Sequence, residues 1–235
     1  PFSPPACVRP GGAMCETIQT EKTWLRSLTG QPVPAHTGIY KLHLQAKATI
    51  GSAEVRESVK LPPGLDRDEW IAAQVVTIHE AVMQVIHVLD GVCTCDSCPR
   101  MNAGKHVHYS WADERTPAPL ALAAPEYMQR LAIWAETKLA DRNILPVDGS
   151  PIPPEFQDLV YTLCKRYFRV YAHAYLSHFE TIRDHGAEGH LNCCYKHFAF
   201  FVSEFGLLTK GDMQPLWELT KAFLAQDGCE GRARQ

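Results

Sequence analysis

The sequence predicts a mainly α fold, a helical bundle with a four-helix core and one small β-hairpin. Three observations predict it. Long segments carry apolar residues at helical spacing, Pro/Gly clusters separate those segments, and two pairs of soft ligands share one spacing, Cys93-x4-Cys98 and His173-x4-His178. Two thiolates and two imidazoles are a complete tetrahedral set, so the pairs are expected to form a structural zinc site that pins two distant segments together.

The elements follow in order. Residues 1–35 hold Pro4, Pro5, Pro10, Gly11, Gly12, Gly30, Pro32 and Pro34, a density of backbone breakers that reads as an irregular N-terminal arm. The helical domain is expected over 36–227, with a short tail at 228–235. After Pro62, Pro63 and Gly64, Asp66 with Glu69 three residues on resembles a capping box. Ile71, Val75, Ile78, Val82, Val85 and Leu89 then recur at steps of four and three, which makes one stripe of a core helix apolar. Gly91 ends that helix and the run Cys93 to Pro99 follows it.

Beyond the turn Asn102-Ala103-Gly104, the alternation from His106 to Trp111 predicts a short strand or half of a hairpin. Pro117 and Pro119 mark a linker. A helix opens at Pro125, a favoured first-turn residue, and runs to about Asp141 with Met128, Leu131, Trp134 and Leu139 inward. Asn143 to Pro154 is a loop. From Glu155 to about Phe179, at about 100° per residue, Phe156, Leu159, Val160, Leu163, Tyr167, Val170 and Ala174 fall on one face. Lys165, Arg166 and Arg169 cluster opposite, as a solvent-facing basic patch. Two more helices are expected, near Gly189 to Leu208 and Met213 to Ala225.

Composition narrows the function. Nine cysteines are an odd number in a chain of 235 residues, which fits a reducing compartment better than a disulfide framework. The apolar run Val75 to Leu89 is broken by His79, Glu80, Gln84 and His87, so no membrane insertion is expected. A net charge of −3 argues against a nucleic-acid binder. The metalloprotease pattern H-E-x-x-H fails, because Met83 follows His79-Glu80 where the second histidine belongs. Four protein ligands would also leave no open position for catalysis, which disfavours a zinc hydrolase.

Spacing alone leaves the ligand set open. Cys95-x2-Cys98 is the commoner knuckle spacing, so Cys95 competes with Cys93. Histidines five apart on a regular helix diverge by about 140°, so His173 and His178 can share an ion only where the helix ends or bends. His185, His190 and His197 are also near in sequence.

Several stretches together resemble the Mob (Mps-one-binder, phocein-like) family of kinase activators. They are Leu61-Pro62-Pro63-Gly64, Glu69-Trp70-Ile71-Ala72, Cys93-Thr94 through Ser97-Cys98-Pro99-x-Met101 and Tyr109-x-Trp111-Ala112-Asp113, then Lys165-Arg166-x-Phe168-Arg169-Val170-Tyr171-Ala172-His173, His190-Leu191-Asn192 and Lys196-His197-Phe198. The likeness runs from about Leu42 to Phe223. It implies zinc held by Cys93, Cys98, His173 and His178, with Cys95 a bystander, and a protein that is not an enzyme. It implies an adaptor that activates AGC kinases of the NDR/LATS group, or in other branches a scaffold in a kinase–phosphatase assembly, in the cytoplasm and also the nucleus.

By the same resemblance Lys165, Arg166 and Arg169 bind phosphorylated peptides of upstream Hippo-type kinases. Glu69, Trp70 and His197 face the kinase's basic N-terminal extension, and Thr49 is a phosphorylation site. Leu65 and Thr77 depart from the family, standing where its best-studied activators have acidic residues. Read from the residues alone, Trp70 is equally a core anchor at a helix start.

Overall fold

A computed structural model describes residues 52–146 and 150–225. Among them are seven α-helices and two small antiparallel ladders. The long helix read from sequence is α2, Arg67–Val88, preceded by α1, Ser52–Val59. At the start of α2 the Asp66 carboxylate accepts from the backbone N–H groups of Asp68 and Glu69 at 2.8 and 3.1 Å, satisfying two donors that the first turn cannot. Its stripe of Ile71, Val75, Ile78, Val82 and Val85 is buried. By length and composition alone α2 could cross a bilayer; here the stripe packs instead on two other helices, α4 and α6.

Helix α3, Ala124–Leu139, starts one residue before the predicted Pro125, which lies in its first turn. Ala123 has no capping side chain, and Glu126 reaches back to accept from its backbone N–H at 3.3 Å. Met128 and Leu131 are buried as expected, while Trp134 and Leu139 are only partly covered. Helix α4, Glu155–Ser177, is the centre of the domain. All seven residues of its predicted inward face are buried, and so are Cys164, Arg166, Phe168, Tyr171, Ala172 and His173. Beyond its first two turns it is enclosed on several sides, because α2, α3 and the first strand all pack on it.

The predicted hairpin half is divided between two ladders. Strand β1, Asn102–Ala103, pairs with β2, Val107–His108, and β3, Ser110–Trp111, pairs with β4, Leu120–Ala121. Gly104 makes the first turn with φ +71°, a conformation that costs a side-chain-free residue little. After α4 come α5, Phe179–Asp184, and α6, Glu188–Glu204, the latter close to its predicted start. The last predicted helix is a 3₁₀ turn, Gln214–Leu216, leading into α7, Trp217–Ala225.

Helix α1 is an element the sequence reading did not contain. It packs on α6, and its C-terminal carbonyls are held by α2: the Trp70 indole N–H donates to Val59 O at 3.0 Å and Gln74 Nε2 to Ser58 O at 3.0 Å. The N-terminal arm at 1–35, the limits at 36 and 227, the tail at 228–235 and Thr49 lie outside the described residues.

Candidate metal centre and basic surface

The two cysteines sit in a self-bonded loop directly after α2. Cys93 N–H donates to Leu89 O and Cys98 N–H to Thr94 O, both at 2.8 Å, while Thr94 and Ser97 bond to each other through side chain and main chain. Facing them, Cys93 Sγ lies 3.3 Å from His173 Nε2, Cys98 Sγ lies 3.3 Å from His178 Nε2, and the two Nε2 atoms are 3.2 Å apart. All four residues are buried and their ligand atoms lie within 4.8 Å of one another. Bonds of about 2.3 Å to sulfur and about 2.0 Å to nitrogen give tetrahedral edges of roughly 3.3–3.8 Å. The cluster therefore fits a single metal ion.

The 140° divergence of the histidines is resolved as geometry required. Helix α4 ends at Ser177, and His178 adopts φ −133°, ψ 7°, outside the helix, which swings its ring back beside His173. His173 Nδ1 is 3.0 Å from Asn102 O, so that nitrogen carries the proton and Nε2 presents its lone pair to the sulfurs. Burial depresses both imidazoles, His173 to about 4, keeping them neutral and able to ligate at neutral pH. Burial, then Cys98 beside it, pushes the Cys93 thiol up, so an ion that bound it would displace a proton. Cys95 is not in the group. Nor are the three neighbouring histidines: His185 meets Thr181 O, His190 lies beside Cys194 and His197 bonds Gln74.

The basic trio is less open than its helical wheel suggests. Arg166 is only 8% exposed, with its guanidinium between the rings of Trp111 and Trp134 at 4.2 and 4.0 Å. The expectation of a solvent-facing patch is corrected at this residue: β3 and α3 carry the two indoles across that side of α4, and a planar, weakly hydrated guanidinium tolerates stacking where an ammonium would not. Arg166 Nη2 donates to Ala112 O at 2.5 Å, but Nη1 is buried with no hydrogen-bond partner.

One turn on, Arg169 donates to Tyr127 Oη at 2.8 Å and lies 4.9 Å from the Tyr109 ring centre. Among the described residues no carboxylate lies within ion-pair distance of Arg166 or Arg169. Lys165 differs, since its ammonium donates to Tyr161 Oη at 3.0 Å and pairs with Asp212 at 3.2 Å. The tyrosine bond, then the carboxylate, raise its pKa. The aromatic walls were not foreseen, because Trp111, Trp134 and Tyr127 come from elements whose contact with α4 no spacing encodes.

Of the kinase-facing positions, Glu69 is exposed in the first turn of α2. Trp70 has the anchoring role of its plainer reading, latched to α1. His197 Nε2 on α6 donates to Gln74 Oε1 on α2 at 3.1 Å, one turn from Trp70. Leu65 is 48% exposed beside Leu61 at 39%, and Thr77 is exposed with its hydroxyl bonded back to Ala73 O.

Burial lowers both His197 and His79, whose Nδ1 meets Tyr167 Oη at 2.9 Å. The unfolded chain, with histidines near 6.5, then binds protons more tightly than the folded one, so stability falls as pH drops below about 6.5. Urea midpoints should decline from pH 7.5 to 5.5, and His79→Gln with His197→Gln should flatten part of that decline. Variant and wild-type profiles of equal slope would contradict it.

A helical bundle whose distant segments meet at a buried Cys2His2 cluster, with an arginine pair on the histidine-bearing helix, defines a class of small α domain with a buried candidate metal site. The sequence model of the Mob1/phocein family matches residues 47–216. MOB kinase activator-like 1A of Arabidopsis thaliana is 43% identical over 187 residues, 79% of this chain and 87% of that protein. MOB kinase activator 3A of Homo sapiens is 39% identical over 184 residues, 77% and 85% of the two chains. MOB kinase activator-like 1 homolog A of Dictyostelium discoideum is 40% identical over 187 residues, 79% and 88%. The chain belongs to the Mob1/phocein family.

Proposed function

We propose that this protein is a non-catalytic adaptor and co-activator. It binds the N-terminal extension of an NDR/LATS-type AGC kinase and phosphorylated segments of upstream Hippo-type kinases, in the cytoplasm and the nucleus, around a structural zinc. Its relatives' names as kinase activators support the kinase role. The donor set supports zinc: two thiolates with two imidazoles suit a borderline-soft, tetrahedral ion, and four protein ligands close the site to substrate.

One observation carries the phosphopeptide reading. A buried Arg166 nitrogen without a partner stands one turn from Arg169, and no described carboxylate lies within ion-pair distance of either, Asp113 and Glu114 acting on Arg166 only from further off. An oxyanion would complete that nitrogen and gain charge-assisted bonds from both guanidiniums. Titrating the protein with one peptide, phosphorylated and not, tests it. Binding of the phosphorylated form alone is expected, weakening with salt; equal binding of both would sink the phosphate site.

The kinase surface is proposed to be electrostatically weak, because Leu65 and Thr77 offer no carboxylate to a basic helix. Leu65→Glu combined with Thr77→Glu should raise the association rate with a basic kinase extension, most at low salt. Surface plasmon resonance would read it, and an unchanged rate at every salt concentration would refute the assignment of that face. The same two residues favour the second reading, a scaffold in a kinase–phosphatase assembly; a phosphatase rather than an NDR-type kinase co-purifying with the native protein would select it.

A further inference from the structure

Asn102 touches the C-terminal end of α4 at two points. Its main-chain oxygen lies 3.0 Å from His173 Nδ1, and its side-chain Oδ1 accepts from the Ser177 hydroxyl at 2.8 Å. Its Nδ2 donates to Arg100 O at 2.9 Å. That pair of bonds fixes the amide's orientation, since exchanging oxygen for nitrogen would set two acceptors face to face. Ser177 is the last residue of α4 and immediately precedes His178. The main chain of Asn102 is itself held in the ladder opposite His108.

The last turn of a helix leaves its final carbonyls without intrahelical partners. His178 is the single residue between α4 and α5, its N–H bonded to Ala174 O and its carbonyl accepting from Ile182 N–H, so what holds Ser177 beside it also sets where its ring points. We propose that Asn102 is a positioning residue of the metal centre, orienting His173 through its carbonyl and His178 through the bond from its side chain to Ser177. The proposal rests on the metal reading above. It gives β1 a task beyond packing: one residue aims both imidazoles at the sulfurs.

The test measures zinc affinity by chelator competition on the full chain, for wild type, Asn102→Ala, Ser177→Ala, the double variant and Asn102→Asp. One hydrogen bond sets the scale, so each alanine variant should bind zinc about fivefold more weakly. The double variant should be no weaker than either single one, because both remove the same bond. Asn102→Asp keeps an acceptor for Ser177 but sets its second oxygen against Arg100 O, so it should return only part of the affinity, leaving it above that of Asn102→Ala. Cobalt-loaded alanine variants should also show altered visible bands, a readout that general loosening of the hairpin would not move while metal-free melting stays unchanged.

Wild-type affinity in both alanine variants would overturn the proposal, as would losses that multiply in the double variant. Ser177 is exposed, so Ser177→Ala carries the test even where Asn102→Ala fails to fold. A wild-type protein that takes up no metal would overturn the metal reading itself, a result distinct from all of these.

Discussion

Stripping the metal with a chelator should lower the thermal midpoint more than any single core substitution, and phosphopeptide binding should weaken with it. The loop from Cys93 to Cys98 owes little to apolar packing: of its six residues only the two ligands are buried, and its internal bonds are local. A zinc ion held by two thiolates and two imidazoles contributes on the order of 10 kcal/mol, comparable with the whole net stability of a domain. Its loss leaves four buried polar groups crowded together with the end of α4 unpinned. The arginine pair shares that helix, Arg169 standing one turn before His173, so loosening its C-terminal half should reach the proposed anion site. Melting curves and peptide titrations of the same samples, before and after chelation and after zinc is restored, would measure both effects. Cys98→Ser should reproduce them without chelator. A midpoint unmoved by chelation would sink the structural role, and a lowered midpoint with peptide affinity unchanged would sink the coupling.

Arg169→Ala should abolish the preference for phosphorylated peptide while hardly moving the melting temperature. Its guanidinium bonds one tyrosine hydroxyl and reaches toward Ser110 O, contacts worth little at a half-exposed site, whereas each charge-assisted bond to a phosphate is worth about 1.5–3 kcal/mol, or roughly ten- to a hundredfold in affinity. Arg166→Ala should lose the same preference and stability too, because it vacates the space between Trp111 and Trp134. Lys165→Ala should matter least, its ammonium being already engaged by Tyr161 and Asp212. Dissociation constants for the paired peptides, with melts as controls, give the ranking. An Arg169→Ala protein that still discriminates the phosphate would place the anion elsewhere.

Much of this was legible in the chain because helices announce themselves locally. The stripe from Ile71 to Leu89 and the face from Phe156 to Ala174 needed only a period, and their buried residues match it. The requirement that the helix stop at His178 followed from the same arithmetic, since five residues cannot bring two rings together on an unbroken helix. What stayed hidden depends on partners distant in sequence. Helix α1 has eight residues and, among its described side chains, one buried apolar pair, Val55 and Val59, too little for a periodic signal. The alternation from His106 to Trp111 announced β structure, but strands of two residues carry too little pattern to show that it divides between two ladders. Arg166 was read from its own helix, which says where a side chain points and nothing about the two indoles that arrive from β3 and α3. Choosing Cys93 over Cys95 likewise needed the third dimension, or the family likeness.

The matched spacing of the two ligand pairs has a consequence for how the chain is tied. Cys93 faces His173 and Cys98 faces His178, each across the same 80 positions, so the two segments pass each other in step. A clasp across that span closes a long loop, and the entropy of closing a loop grows only with the logarithm of its length. An ion bound there would thus act as a reversible counterpart of a disulfide, opened by acid or a chelator rather than by a reductant. Such a closure would persist in a compartment where a covalent bridge between cysteines would be reduced.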